Sequence, residues 1–197
     1  MKTWIAIAAV LVAQTAMADD IRLGNPGYGG TGCPGGTVSA TLSPDAKTLS
    51  IIFDQYVTEV VPGAGRTIDR KNCQLAIPVH VPQGMSVSIL SMEYRGFNSL
   101  PSGARSTLSV QNFIPGVPGA VRFSKTFMGP QDDEYVVNDS LGLGAIVWSP
   151  CGADINLRMS TSVALSSRNR YESALSTLDS IDVDAGLLYH LQWRTCR

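Results

Sequence analysis

Apolar residues recur at every second position along much of this chain, and this period constrains the fold more than any other feature. Side chains of a β-strand point alternately to its two faces, so such a period gives one buried face and one face in water. The clearest run consists of Ile155, Leu157, Met159, Thr161, Val163 and Leu165. The same alternation returns at 49–53, 75–81, 121–127 and 187–193. We expect a protein built from strands, with at most a short turn of helix over 171–178.

Turn-forming residues separate these runs at short intervals. Ser43-Pro44-Asp45-Ala46-Lys47 lies between two apolar runs. It predicts a hairpin connection, because Pro presets φ and Asp caps its own backbone. Short strands divided by such turns are typical of sandwiches and barrels. The sequence therefore predicts an all-β fold, an antiparallel β-sandwich of jelly-roll-like or Greek-key form, with residues 37–197 as a single domain.

Local irregularities are expected within this pattern. Pro78 lies in an alternating run but cannot donate a ladder hydrogen bond, so its strand should be an edge strand or carry a bulge. The apolar parity changes between Ile89 and Leu90, which predicts a β-bulge there. The acidic run 131–134 follows Gly129-Pro130 and should form a solvated turn.

The first 18 residues have the form of a cleavable secretory signal. Lys2 supplies a positive charge, residues 4–13 are apolar, and Ala16-Met17-Ala18 is a small-x-small cleavage site. The apolar run is shorter than the roughly 20 residues that a membrane-spanning helix needs. We expect residues 1–18 to be removed, the protein to be secreted to the extracellular space or the periplasm, and no segment to span a membrane.

Residues 19–36 are rich in glycine and should lead as a loop into the first strand. Gly27-Tyr28-Gly29-Gly30-Thr31-Gly32 matches the letters of the dinucleotide-binding motif. That motif works between a strand and a helix whose N-terminus meets the pyrophosphate, and neither flank has such a pattern. We therefore expect no nucleotide here, and no cofactor elsewhere.

The four cysteines, Cys33, Cys73, Cys151 and Cys196, all lie beyond the signal. In an oxidising compartment they are expected to form disulfides, and none has the close C-x-x-C spacing of a zinc site. Four cysteines allow three pairings. We favour Cys33–Cys73 and Cys151–Cys196, because each bridge then ties one end of the domain to the sheet. Cys196 has the parity of polar neighbours, so it should leave its strand before bonding.

The charge balance is close to neutral, with 15 basic and 16 acidic residues. Nucleic acids and anionic membranes reward a strong excess of basic residues, so neither is expected as the main partner. An extracellular glycan or protein is the partner that we expect instead.

No catalytic set is recognisable in the sequence. The G-x-S-x-G nucleophile motif is absent. Carboxylates for glycoside hydrolysis are available at Asp54, Glu93 and 132–134, but no spacing brings two of them to the separation that this reaction needs. We favour a protein without enzymatic activity.

Binding residues are proposed on two grounds. Asp179, Asp182 and Asp184 offer oxygen ligands of the kind that calcium prefers, although their spacing is not that of an EF-hand loop. No other metal site is expected. Aromatic rings in polar turns can stack on sugars, and the candidates are Tyr28, Tyr94, Phe97, Trp148 and Tyr171.

Several short strings occur in a characteristic order. They are Gly32-Cys33-Pro34, Leu42-Ser43-Pro44-Asp45, Arg70-Lys71-Asn72-Cys73-Gln74-Leu75, Val81-Pro82-Gln83-Gly84, Tyr94-Arg95-Gly96, Ser149-Pro150-Cys151-Gly152, Asp179-Ser180-Ile181-Asp182 and Gln192-Trp193-Arg194-Thr195-Cys196. With this set the chain resembles a family of secreted bacterial and fungal proteins, domain of unknown function 4360, over nearly all its length after the signal. The resemblance implies a small extracellular β domain with cysteines and brings no catalytic residues.

Three functions are compatible with these residues. We favour a secreted, non-enzymatic β-sandwich that binds a glycan or protein outside the cell or lies on a surface. One alternative is a secreted hydrolase that acts on glycans through carboxylates. The other is a structural or interaction component of the cell envelope or matrix.

Overall fold

The computed structural model describes residues 20–140, 146–178 and 186–196. The predicted signal, 1–18, and the calcium candidates Asp179, Asp182 and Asp184 lie outside these residues. The regular elements that the structure describes are strands. They are β1 (Arg22–Leu23), β2 (Gly27–Gly29), β3 (Val38–Leu42), β4 (Thr48–Phe53), β5 (Val57–Val60), β6 (Ile68–His80), β7 (Met85–Leu100), β8 (Ala104–Phe113), β9 (Val121–Met128), β10 (Gln131–Ser140), β11 (Ile155–Ser167), β12 (Ala174–Thr177) and β13 (Leu187–Thr195).

The strands form two antiparallel sheets packed against each other, which confirms the predicted all-β sandwich. Sheet I has six strands in the order β1-β6-β11-β8-β9, with β2 also paired to β6. Sheet II has seven strands in the order β3-β4-β13-β7-β12-β5, with β10 also paired to β7. Most neighbours within a sheet are not consecutive in the chain, because the chain crosses repeatedly from one sheet to the other.

The core lies between the sheets and consists of the apolar half of each alternating strand. Burying one such side chain contributes about 1.5–3 kcal/mol. Sheet I supplies Leu75, Ile77, Leu108, Val110, Leu157, Met159, Val163 and Leu165, and sheet II supplies Leu49, Ile51, Phe53, Met92, Tyr94, Leu187, Tyr189 and Leu191. The period-two pattern therefore identified the buried face of these strands correctly.

Buried tyrosines add polar contacts to this core. The Tyr56 hydroxyl lies 2.9 Å from the Thr161 hydroxyl, and the Tyr189 hydroxyl donates to Oδ1 of Asn112 at 2.7 Å. Burial raises the pKa of both phenols above their usual value near 10. They therefore stay neutral at physiological pH and act as hydrogen-bonding core residues.

The bulge predicted from the parity change is present in β7. His190 of β13 pairs with Ser91, and the next residue, Leu191, pairs with Ile89. Leu90 is thus the extra residue, and it is 44% exposed. The apolar residues on both sides of the bulge keep facing the core.

The strand that contains Pro78 is not an edge strand, and its pairing with β11 has no bulge at Pro78, so neither form of that expectation is confirmed. β11 pairs with one side of β6, while β1 and β2 pair with the other. The Pro78 carbonyl accepts a hydrogen bond from the Gly24 amide at 2.8 Å. Since the nitrogen and carbonyl of one strand residue point the same way, the missing N–H faces the gap between two short outer strands and costs little.

Three segments predicted as turns, helix or loop contain strands. Residues 131–134 begin β10, where Gln131 pairs with Leu100. Residues 174–177 form β12 and not a helical turn. Within the glycine-rich segment, β1 and β2 pair with β6. In each case the partner strand lies far away in the sequence, so the local residue pattern does not predict the pairing.

Both favoured disulfides are present. Cys33–Cys73 joins the glycine-rich segment to β6, and Cys151–Cys196 joins the segment before β11 to the end of β13. Cys196 follows the last residue of β13, as its parity predicted. With sequence separations of 40 and 45, each bridge stabilises the fold by about 4 kcal/mol on the chain-entropy model.

Gly32 lies against the ring of Tyr56, where a larger residue does not fit. A Cβ at position 32 would overlap with this ring, whereas a Cβ at Gly29 would have nothing within 4 Å. We expect Gly32→Ala to lower the free energy of unfolding by about 1–3 kcal/mol, as overpacking does. Gly29→Ala should change it by less than about 0.5 kcal/mol. Denaturant titration compares the two variants; equal stabilities would contradict this packing.

The two bridges differ in their access to solvent. Cys33 and Cys73 are 0% exposed, while Cys151 is exposed and Cys196 is half-buried. A reducing thiolate must reach a sulfur atom to attack it. We expect brief reduction followed by alkylation to label Cys151 and Cys196 first, as read by peptide mass spectrometry. Labelling of all four cysteines at one rate would show that burial does not protect the first bridge.

Candidate binding face

The outward side of sheet I presents a polar surface, here called the arginine face. It is formed by the side chains that alternate with the core residues on β6, β8, β9 and β11. Amides, hydroxyls and guanidinium groups dominate it, at Arg70, Asn72, Gln74, Arg105, Thr107, Ser109, Gln111, Arg122, Ser124, Thr126, Arg158, Ser160 and Ser162.

The strand register aligns these residues in rows across the sheet. The Gln row runs from β6 through β11 and β8 to β9 and consists of Gln74, Ser160, Gln111 and Arg122. The adjacent Asn row consists of Asn72, Ser162, Ser109 and Ser124. Neighbouring strands lie about 4.8 Å apart and rows about 6.7 Å apart. The two rows therefore place eight hydrogen-bonding side chains on one compact area.

Two adjoining depressions, open to solvent, follow these rows. Their volumes are about 620 and 440 Å³, and both include Gln74, Gln111 and Ser160 in their lining. The larger one extends past Arg158 to the rings of Tyr28 and Phe113, and Phe113 is 38% exposed. Together they form a continuous groove with an aromatic end.

The charges on the arginine face have one sign. The outward positions of β6, β8, β9 and β11 include four arginines and no aspartate or glutamate. Arg70 donates to the Ser162 hydroxyl at 3.4 Å, and Arg105 donates to the Ser166 hydroxyl at 3.2 Å. Among the described residues, no carboxylate lies within ion-pair distance of these four arginines. Asp154, just before β11, instead contacts His80 at 2.7 Å.

The outward side of sheet II has mixed charges. Glu93 and Arg95 of β7 form an ion pair at 2.5 Å. Asp132 and Glu134 lie on β10, opposite Ser99 and Phe97 of the neighbouring strand β7. A surface that serves only solubility carries both signs in this way, so the single sign on sheet I is a distinguishing feature.

The predicted aromatic candidates lie in different parts of the structure. Tyr94 is 0% exposed and stacks on Phe123 with ring centroids 4.9 Å apart, so it is a core residue without a face for a ligand. Phe97 is half-buried on sheet II. Trp148 is half-buried beneath the Arg194 guanidinium, 4.1 Å from the ring centroid.

Two further aromatic candidates are more accessible. Tyr171 is 92% exposed in the connection between β11 and β12. Tyr28 lines the groove, and its hydroxyl accepts a hydrogen bond from the Gly36 amide at 2.8 Å. The structure therefore brings only Tyr28, of the five candidates, to the groove on the arginine face.

The carboxylates considered for hydrolysis do not lie in the groove. Asp132 and Asp133 line a separate depression together with Glu172, and all three side chains are exposed. Glu93 forms an ion pair with Arg95. Within the described ranges, no group of three histidines, cysteines, aspartates or glutamates could hold a metal ion.

The polar residues of the arginine face were not singled out from the sequence. Their only local signal is the polar half of the alternation, as in Arg158-x-Ser160-x-Ser162 and Arg70-x-Asn72-x-Gln74. The same alternation occurs in any strand that has one face exposed to solvent. The order of strands in sheet I is what brings these two runs side by side.

Comparison with known proteins now identifies the family. The family described as domain of unknown function (DUF4360) matches residues 19–196. The chain belongs to the DUF4360 family. A relative from Arthroderma benhamiae, described as an uncharacterized secreted protein, is 37% identical over 178 residues, which cover 90% of this chain and 73% of the relative. The resemblance that the sequence strings indicated is thus confirmed.

A solved structure similar to this DUF4360 chain is that of TmCBM61 in complex with β-1,4-galactotriose. It is 9% identical and covers 87% of this chain and 88% of that chain, with a TM-score of 0.28. Similarity at this level supports no inference about the fold or ligand of the DUF4360 protein.

Two observations bear on the location of this DUF4360 chain. The relative is secreted, and disulfides persist in oxidising compartments such as the extracellular space. Both observations fit an extracellular protein. The part of the chain that the structure describes contains no helix able to cross a membrane.

Proposed function

We propose that this protein is an extracellular, non-enzymatic binding module and that its ligand is a glycan bound along the arginine face. The observation that supports the proposal is the continuous groove over the Gln and Asn rows. It offers many hydrogen-bonding groups on a rigid surface formed by four paired strands.

The chemistry of the groove suits sugar hydroxyls. A hydroxyl both donates and accepts, and the amides of Gln74 and Gln111 and the hydroxyl of Ser160 can meet both needs. The exposed ring of Phe113 gives an apolar surface beside them. The groove is open to solvent and extends along the sheet. It therefore suits a segment of a polymer better than a small molecule, which is usually bound in an enclosed pocket.

The lining of the groove favours binding over catalysis. The residues that line its two depressions include no aspartate, glutamate, histidine or cysteine. Glycosidases generally act through a pair of carboxyl groups about 5–10 Å apart across the scissile bond. A glycan held on the Gln row would therefore meet hydrogen-bond donors and acceptors and not the pair that cleaves it.

The double variant Gln74→Ala/Gln111→Ala tests this proposal. Each lost hydrogen bond costs about 1 kcal/mol, so the affinity for any retained polysaccharide should fall at least about tenfold. Affinity electrophoresis against neutral and acidic polysaccharides measures this. The matched control is Asn138→Ala/Ser140→Ala, two exposed polar residues of β10 on the other sheet.

Two results would contradict the proposal. One is that no polysaccharide in the panel slows the protein. The other is that a retained polysaccharide binds both double variants as tightly as the unaltered protein. Release of reducing ends by the purified protein would instead support the hydrolase alternative.

A further inference from the structure

We propose that the ligand of the arginine face is an acidic glycan, a polymer whose hydroxyl-rich chain carries carboxylate or sulfate groups. The inference rests on the proposed function and deepens it by naming the ligand class. It follows from the four arginines, from the absence of acidic residues among the outward positions of their strands, and from the amides and hydroxyls that make up most of the two rows.

Along the strand direction, arginines lie on both sides of the two polar rows. Arg122 ends the Gln row, and Arg158 lies one row further along β11, opposite Phe113. Arg105 lies six residues before Gln111 on β8, which places it about 20 Å from the Gln row. Arg70 lies two residues before Asn72 on β6. A ligand that spans the face therefore meets positive charge at both ends.

The middle of the face consists mostly of uncharged polar side chains. Between the two arginine ends, the Gln and Asn rows offer only amides and hydroxyls apart from Arg122. A chain with anionic groups at intervals and hydroxyl groups between them matches this order. A neutral glycan would satisfy the rows but leave the arginine ends without charged partners.

The guanidinium groups have N–H donors available for such a ligand. Arginine has five N–H donors in a planar fork that matches a carboxylate or sulfate. The Arg70 and Arg105 contacts on this face are to serine hydroxyls, so most of their donors remain available. Charge-assisted bonds of this kind are roughly twice as strong as neutral ones.

The amides and hydroxyls of the two rows also favour a glycan over a nucleic acid. Proteins that bind single strands stack successive bases on aromatic rings. In the groove, Tyr28 and Phe113 lie at one end, and the ring of Phe123, which lines the other depression, stacks on the buried Tyr94. Sugar units present hydroxyl groups along the whole chain, and these match the amides and hydroxyls of the two rows.

The test compares two backbones with and without their charges. The probes are polygalacturonate, carboxyl-reduced polygalacturonate, dextran sulfate, unsulfated dextran and duplex DNA, with affinity measured for the secreted protein at about 0.05 M and about 0.5 M salt. We expect polygalacturonate or dextran sulfate to bind at least about tenfold tighter than its own uncharged polymer at low salt. The preference should weaken at high salt, and the tighter of the two acidic probes identifies the anion.

A charge-matched pair of variants assigns the effect to this face. Arg122→Gln/Arg158→Gln should remove most of the preference for the acidic probe. Arg66→Gln/Arg168→Gln removes the same charge from exposed residues outside the face and should keep the preference.

Each unfavourable outcome identifies which proposal is wrong. Equal binding of each acidic polymer and its own uncharged form would overturn the acidic ligand while leaving glycan binding intact. Tighter binding of DNA than of every polysaccharide would overturn it in favour of a nucleic acid. Binding of no polysaccharide would overturn both proposals.

Discussion

The pairing of β11 with β6 on one side and β8 on the other is the constraint on which this structure depends. It runs without a break from Ile155↔Val79 to Ser166↔Ile68. Since side chains alternate between faces, a slip of one residue would turn Leu157 and its apolar neighbours outward and bury Arg158 and its polar neighbours. The same strand register therefore places the core residues on one face of the sheet and the residues of the candidate binding face on the other.

The disulfides hold the ends of the domain to that frame. Cys33–Cys73 fixes the glycine-rich segment against β6, and this segment brings Tyr28 to the aromatic end of the groove. Cys151–Cys196 fixes the start of the β11 segment to the end of β13. The first bridge is thus linked to the groove through the segment that it anchors, while the second connects the two sheets outside the groove.

The sequence predicted what depends on local pattern. It identified the main strands, the bulge at Leu90 and the departure of Cys196 from its strand, because each of these is recorded in the parity of neighbouring residues. It misjudged 131–134 and 174–177, where pairing with a distant strand decides the structure. Tyr94 was proposed for a ligand, although it shares the inward parity of Met92. The arginine face was missed, since its residues come from four strands whose order no local pattern records.

The most direct test of this account is a map of the binding surface in solution. Amide chemical shifts of the labelled protein would be followed while a short polygalacturonate oligomer is added. The account predicts that the largest changes fall on the central strands of sheet I, around Gln74, Gln111 and Ser160, and on the guanidinium signals of Arg122 and Arg158. Changes centred on β7 and β10 of sheet II would contradict it.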